Sequence, residues 1–179
     1  MTAAAFDRQQ ADSDAVRFLE KEALLRARLS SLGSVVVAFS GGTDSAYLAY
    51  AASSTLGDRA LCVTADSASF PSWHRKIATQ CAAQFNLRHE FVVTAEIDNP
   101  DYRANAPDRC YHCKRELFTH LTGLARERGF AAVLDGANAD DRRDYRPGRQ
   151  AAREMGVVSP LDEADLSKDE IRELSRRAG

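Results

Sequence analysis

Short apolar runs alternate with helix-spaced segments along this chain, and the alternation predicts most of its architecture. Ser13 to Ser31 places Val16, Leu19, Ala23 and Ala27 at helical intervals, with Ser13 or Asp14 as N-cap and Gly33 as the stop. Val35-Val36-Val37-Ala38-Phe39 is then a continuous, largely β-branched run without polar alternation. That is the pattern of a strand buried on both faces, as in a parallel sheet. A glycine-rich turn follows, and Asp44 to Thr55 returns to helix, ending near Gly57. Ala60 to Ala65 reads as a second strand, Pro71 to Asn86 as a helix opened by proline, and His89 to Thr94 as a third strand. Ile97 to Asp108 reads as a loop, because Asn99-Pro100, Asn105 and Pro107 are turn formers. Cys110 to Arg128 is a long helix stopped by Gly129, and Ala131 to Leu134 is a fourth strand closed by the Asp135-Gly136 turn. Arg149 to Met155 suits a short helix and Val157-Val158 a short fifth strand. Ser167, followed three residues later by Glu170, opens the last helix with a capping box. The pattern predicts an α/β fold: a doubly wound, mostly parallel five-stranded sheet with helices on both faces.

Composition narrows the class without changing the fold. The 179 residues suffice for one domain with a proper core, and 44% apolar with 28% charged residues is the balance of a globular protein. A net charge of −2, from 24 basic and 26 acidic side chains, supplies no global attraction to nucleic acid or to an anionic membrane. Arg142, Arg143, Arg146, Arg149 and Arg153 form a local basic run, but Asp140, Asp141, Asp144 and Glu154 interleave with it and suggest an ordinary solvated face. The first residues lack a basic flank followed by an apolar stretch, and no apolar run approaches the ~18 residues of a membrane span. Four cysteines in such a chain suggest reduced thiols and a cytoplasmic setting.

The candidate chemistry begins where the first strand ends. Ser40-Gly41-Gly42-Thr43-Asp44-Ser45 joins a buried strand to a helix. Glycines let successive backbone N–H groups converge on one anion, and the helix N-terminus adds free N–H groups and a positive dipole end. Ser40, Thr43 and Ser45 add hydroxyls for phosphate oxygens, while Asp44 suits a bound Mg²⁺ or the orientation of the loop. No Gly-x-x-x-x-Gly-Lys-Ser/Thr and no Gly-x-Gly-x-x-Gly occurs in the chain, so the two other common phosphate loops are excluded. A glycine-rich turn without a ligand is the plainer alternative, and the strand–turn–helix context weighs against it.

Ser-Gly-Gly-x-Asp-Ser after a β-branched strand resembles the signature of the PP-loop ATP pyrophosphatases, which hold the pyrophosphate of ATP and attach AMP to a substrate oxygen. Leu134-Asp135-Gly136-Ala137-Asn138-Ala139-Asp140-Asp141 resembles the segment that many members place opposite the loop. Gly136 is thereby assigned to the ATP site, and Asp140 and Asp141 to Mg²⁺, with Asp44 and Asp140 as the catalytic pair; a solvated acidic loop is the alternative. Asn99–Asn105, Asp108-Arg109-Cys110-Tyr111-His112-Cys113-Lys114 and Asp144-Tyr145-Arg146-Pro147-Gly148 further resemble the N-terminal domain of LarE-type sacrificial sulfur transferases, over nearly the whole chain from Val35 to Gly179. The resemblance implies a PP-loop domain over 35–179, preceded by a helical segment over 1–34. It also implies ATP-dependent adenylation of a pyridinium dicarboxylate mononucleotide, sulfur transfer to it, and a place in nickel-pincer nucleotide biosynthesis. The family's donor-cysteine stretch (Pro/Ser-Cys-x-x-Ser-Arg) does not occur here, and the expectation is that it belongs, with a C-terminal domain, to a longer protein.

Cys110-x-x-Cys113 has the spacing of two ligands of a zinc or iron–sulfur site, of a redox disulfide, or of a chance pair, and two thiolates complete no metal site. The resemblance implies that a third, downstream cysteine would complete three ligands of a [4Fe–4S] cluster. Cys62 and Cys81 lie in apolar stretches and read as inert core residues. Arg109, Lys114 and Arg146 are candidates for a substrate phosphate, with solvated surface positions as the alternative. The expected partner is a small nucleotide substrate; a homo-oligomer is compatible with the sequence, and nucleic acid and membrane are not expected. The competing functions are a PP-loop tRNA thiolation enzyme and a nucleotide-binding module without catalysis.

Overall fold

A computed structural model describes residues 3–67, 72–95, 102, 108–142 and 146–179 of the chain. Four strands form one parallel sheet in the order β3-β2-β1-β4: β1 Val35–Ala38, β2 Ala60–Asp66, β3 His89–Val93 and β4 Ala132–Leu134. The helices are α1 Ala3–Leu32, α2 Thr43–Leu56, α3 Ser72–Gln84, α4 Arg109–Arg128, α5 Pro147–Glu154, α6 Pro160–Glu163 and α7 Lys168–Ala178.

The β-branched run explains the layering. Successive strand side chains point to opposite faces, so Val35 and Val37 enter one core with Ala60 and Cys62. Val36 and Ala38 enter the other core with Leu61 and Val63. Leu25, Leu48, Ala78 and Ile171, from α1, α2, α3 and α7, cover the first face. Phe118, Leu121 and Ala151, from α4 and α5, cover the second. Residues 35–37 are wholly buried, as a strand with no polar alternation requires. Each fully buried leucine, such as Leu61, contributes about 1.5–3 kcal/mol of transfer free energy.

Three expectations need correction. The sheet has four strands among the described residues, because Val158 makes only an isolated parallel bridge to Leu134. Gly156 turns at φ +67° just before it, and Pro160, which lacks a backbone N–H, starts α6 two residues later, so no ladder can extend. The first helix starts at Ala3 and runs through Ser13 and Asp14 without a break, its Ala3-Ala4-Ala5 start being a strong helix former. The short helix starts at Pro147, the first helical position that proline favours, and not at Arg149. Most of the loop expected over 97–108, and Arg143, Asp144 and Tyr145, lie outside the described residues. The capping box at Ser167 is present as expected, with Glu170 N donating to Ser167 Oγ and Ser167 N to Glu170 Oε2.

From β1 the chain crosses to β2 and β3 on one side, while β4 pairs on the other. The strand order therefore reverses between β1 and β4. In open α/β sheets the crevice at the carboxyl ends of such a pair is where ligands bind.

Candidate functional site at the switch point

The loop after β1 is built for close approach. Gly41 has φ +78°, and a Cβ there would stand 3.1 Å from the backbone N and Cα of Ala78 in α3, so both conformation and space demand glycine. Gly42 caps α2 with no side-chain hydrogen bond, which leaves the first-turn N–H groups uncapped. Ser45 Oγ donates to Gly42 O at 2.9 Å and accepts from Ser40 N at 3.2 Å. It also lies 3.0 Å from Ser40 Oγ, which accepts from Gly42 N at 3.3 Å. The two serine hydroxyls thus hold the loop's curl, and Ser40, Gly42, Thr43, Asp44 and Ser45 line the crevice at the helix end.

The loop after β4 packs directly onto that helix end. A Cβ on Gly136 would stand 3.1 Å from Ser45 N and 3.3 Å from Ser45 Cα. Asp135 fixes the turn, accepting from Ser159 Oγ at 2.7 Å and Ala137 N at 3.3 Å. Asn138 is wholly buried and joins the two loops: its Nδ2 donates to Asp44 Oδ2 at 2.9 Å, its Oδ1 accepts from Asp140 N at 3.1 Å, and its N donates to Asp141 Oδ2 at 3.2 Å.

The two neighbouring aspartates part company here. Asp141 is buried and lines the crevice, with Arg146 Nη1 at 3.0 Å and Lys168 Nζ at 3.7 Å from Oδ1. No aligned hydrogen bond reaches that oxygen among the described residues. Asp140 is exposed, and its Oδ2 accepts from Lys168 N at 2.8 Å, at the start of α7. Burial pushes the Asp44 carboxyl above its ordinary range, and Asp141 adds to the rise. The Asn138 hydrogen bond, Lys168 and Arg172 act in the opposite direction. Two partly desolvated carboxylates in one cavity with the uncapped start of α2 suit a hard cation beside a phosphate. Asp44 and Asp141 are therefore the candidates for Mg²⁺ on the cavity wall, and Asp140 is not among the lining residues.

The first turn of α4 forms another wall. Cys110, Cys113 and Lys114 all line the crevice. Gly148 lets α5 close on this turn, since a Cβ there would stand 3.0 Å from Lys114 Cγ. Lys114 Nζ lies over the Phe118 ring at 5.4 Å, and Arg109 stacks on Tyr102 at 4.4 Å while donating to its hydroxyl at 2.6 Å. All four cysteines carry thiols. Burial pushes the Cys62 thiol up to about 12 and also raises Cys81, so neither is a ready thiolate near neutral pH. Among the described residues no group of three His, Cys, Asp or Glu converges on a metal position. Cys110 and Cys113 alone therefore do not fit a [4Fe–4S] cluster.

Together these walls enclose a cavity of about 960 Å³ at the carboxyl ends of β1, β2 and β4, at the upper end of the ~300–1,000 Å³ usual for ligand sites. Of the residues expected from sequence, Ser40, Gly42, Thr43, Asp44, Ser45 and Gly136 line it, as do Asp141, Arg146, Lys114 and both cysteines. Gly41, Arg109 and Asp140 stand behind or beside it. Sequence reasoning missed Asn138, Thr64, Lys168 and Arg172. The last two are spaced i,i+4 just inside the capping box, and that spacing was the available signal. Thr64 is buried and donates to the carbonyl of Phe39 at 2.7 Å, steadying the entrance to the phosphate loop.

The comparisons with known proteins agree with this geometry. The family model described as asparagine synthase matches residues 22–142. An uncharacterized protein of Synechocystis sp., slr1717, is 44% identical over 155 residues, which cover 87% of this chain and 58% of that protein. The pyridinium-3,5-bisthiocarboxylic acid mononucleotide synthase of Lactiplantibacillus plantarum is 36% identical over 160 residues, covering 89% of this chain and 58% of that protein. The chain thus spans little more than half the length of these relatives. The U34-tRNA thiolase NcsA of Methanococcus maripaludis, solved with its [4Fe–4S] cluster, superposes with a TM-score of 0.66 at 17% identity over 92% of this chain and 65% of that one, a likeness of fold. With the phosphate loop at the sheet's switch point and the family match across it, the chain belongs to the asparagine synthase family, as a PP-loop ATP pyrophosphatase domain.

Proposed function

We propose that this domain binds ATP with Mg²⁺ in the switch-point cavity and adenylates a carboxylate of a pyridinium dicarboxylate mononucleotide, as the activating stage of sulfur transfer in nickel-pincer nucleotide biosynthesis. The observation that carries the reading is the meeting of the uncapped α2 N-terminus with Asp44 and Asp141 in one cavity, joined by the Asn138 bridge. The uncapped N–H groups at the start of α2, those of Thr43 and Asp44, would cradle the β- and γ-phosphates, and Lys168 and Arg172 add positive charge from α7. Asp44 and Asp141 would hold Mg²⁺, which would supply charge neutralisation to the polyphosphate. A substrate carboxylate oxygen attacks the α-phosphorus, the bond to the bridging oxygen breaks, and pyrophosphate leaves with that electron pair. Lys114 and Arg146 suit the anionic groups of the acceptor. Adenylation turns a poor electrophile into one that a sulfur nucleophile can attack with AMP as the leaving group. The 36% identical synthase, named for a bisthiocarboxylic acid mononucleotide, supports this substrate class.

The test is an oxygen-transfer experiment. With ¹⁸O in the acceptor's carboxylates and a thiol nucleophile supplied, AMP should carry one ¹⁸O. Unlabelled AMP would reject carboxylate adenylation. A tRNA acceptor is the second reading, favoured by the Cys110 and Cys113 thiols on the cavity wall. It requires tRNA binding with a steep salt dependence.

A further inference from the structure

The arginines that the sequence disperses among acids gather at one place, and their ion pairs leave some of their donors unused. Arg142, Arg146, Arg149 and Arg153 line a second hollow of about 360 Å³ together with Asp141, Pro147 and Gln150. Asp141, Arg146, Pro147 and Arg149 also line the large cavity, so the two hollows share one wall. Two of the four interleaved acids are engaged elsewhere, and Asp141 pairs with Arg146. Asp140 accepts from Lys168 N, and Glu154 accepts from Tyr111 Oη at 2.6 Å and Gln150 Nε2 at 2.8 Å. Asp162 takes guanidinium groups of both Arg142 and Arg149, the latter at 2.5 Å, and Asp165 takes Arg142 Nη1 at 2.8 Å. That fixes two guanidinium planes without using all their donors. Arg149 Nη1 is buried with no hydrogen-bond partner among the described residues. Arg153 is exposed on the same helix, one turn on, and makes no ion pair with a described residue.

A buried, unpartnered guanidinium nitrogen is costly, and planar N–H forks match phosphate oxygens. We infer that this hollow is a second anion site, for the phosphate of a small phosphorylated molecule bound beside the ATP cavity and separated from it by the Arg146–Asp141 pair. Two sources share that chemistry: the phosphomonoester of the mononucleotide acceptor, and the pyrophosphate released from ATP. Their identity rests on the adenylation reading, but the site itself does not.

The experiment saturates the protein with Mg²⁺ and α,β-methylene ATP, then titrates inorganic pyrophosphate calorimetrically. One further equivalent should bind. Arg153→Ala and Arg153→Glu should weaken it about tenfold or more, Arg153→Lys less, with analogue affinity and Tm unchanged. No pyrophosphate binding to the saturated protein, or binding indifferent to Arg153→Glu, would overturn the site. In turnover, a raised KM for the mononucleotide in Arg153→Ala assigns the acceptor as occupant. A raised inhibition constant for pyrophosphate at unchanged KM assigns the product. Failure of the ATP reading would show separately, as absent analogue binding, and the Arg153 dependence of the pyrophosphate titration would still decide the second site.

Discussion

Asp44 and Asn138 show how much of the site depends on single side chains. Asp44 is held half-buried by the Asn138 amide, and burial raises its pKa above the ordinary carboxylate range. A raised carboxylate pKa means that the folded state binds the proton more readily than the unfolded chain. Stability linked to this group therefore falls as pH rises from the unfolded pKa, about 3.9, through the folded one, and stays reduced above it. Asp44→Asn should accordingly raise Tm of the metal-free protein at pH 7, and do so much less near pH 4, while abolishing ATP turnover. A lower Tm at pH 7 would contradict the assignment. Asn138→Ala leaves the Asp44 carboxylate unrestrained and removes a buried side-chain amide with two hydrogen bonds, for a cost of about 1–3 kcal/mol in urea unfolding. It should also raise the Mg²⁺ concentration needed for half-maximal activity, a readout that general destabilisation would not move. At the thiols, a small alkylating reagent should modify exposed Cys110 well before buried Cys62. Mass spectrometry of partially labelled protein checks the order.

Between elements, the site depends on how closely they approach. Gly136→Ala would push a methyl group against the backbone of Ser45, forcing β4 and α2 apart. We expect a loss of about 1–3 kcal/mol and weaker ATP binding, measured by urea unfolding and by titration with an ATP analogue. Element types were largely legible in the sequence because period and punctuation agreed, as in the Val35–Phe39 run before two glycines and the capping box at Ser167. The fifth strand was misread because Val157-Val158 is apolar enough for a strand, yet Gly156 and Pro160 leave only one bridge. The motif residues were legible for the same local reason. What was not legible came from contacts distant along the chain. Asn138 meets Asp44 across 94 positions, and Lys168 and Arg172 reach the cavity only once α7 packs on α2. Nothing in the local sequence separates buried Asp141 from exposed Asp140; the fold does, by aiming one at the cavity and the other at the start of α7.

For the whole molecule, a parallel sheet whose strand order reverses between β1 and β4 places a phosphate loop, two carboxylates and the α4 thiols around one cavity. Among the described residues no helix is long and apolar enough to cross a membrane. The fate of α-³²P- and γ-³²P-labelled ATP with Mg²⁺, with and without the pyridinium dicarboxylate mononucleotide, tests this account most directly. The account predicts acceptor-dependent AMP and pyrophosphate, both lost in Asp44→Ala. ADP with inorganic phosphate, or AMP formation undiminished in Asp44→Ala, would contradict it.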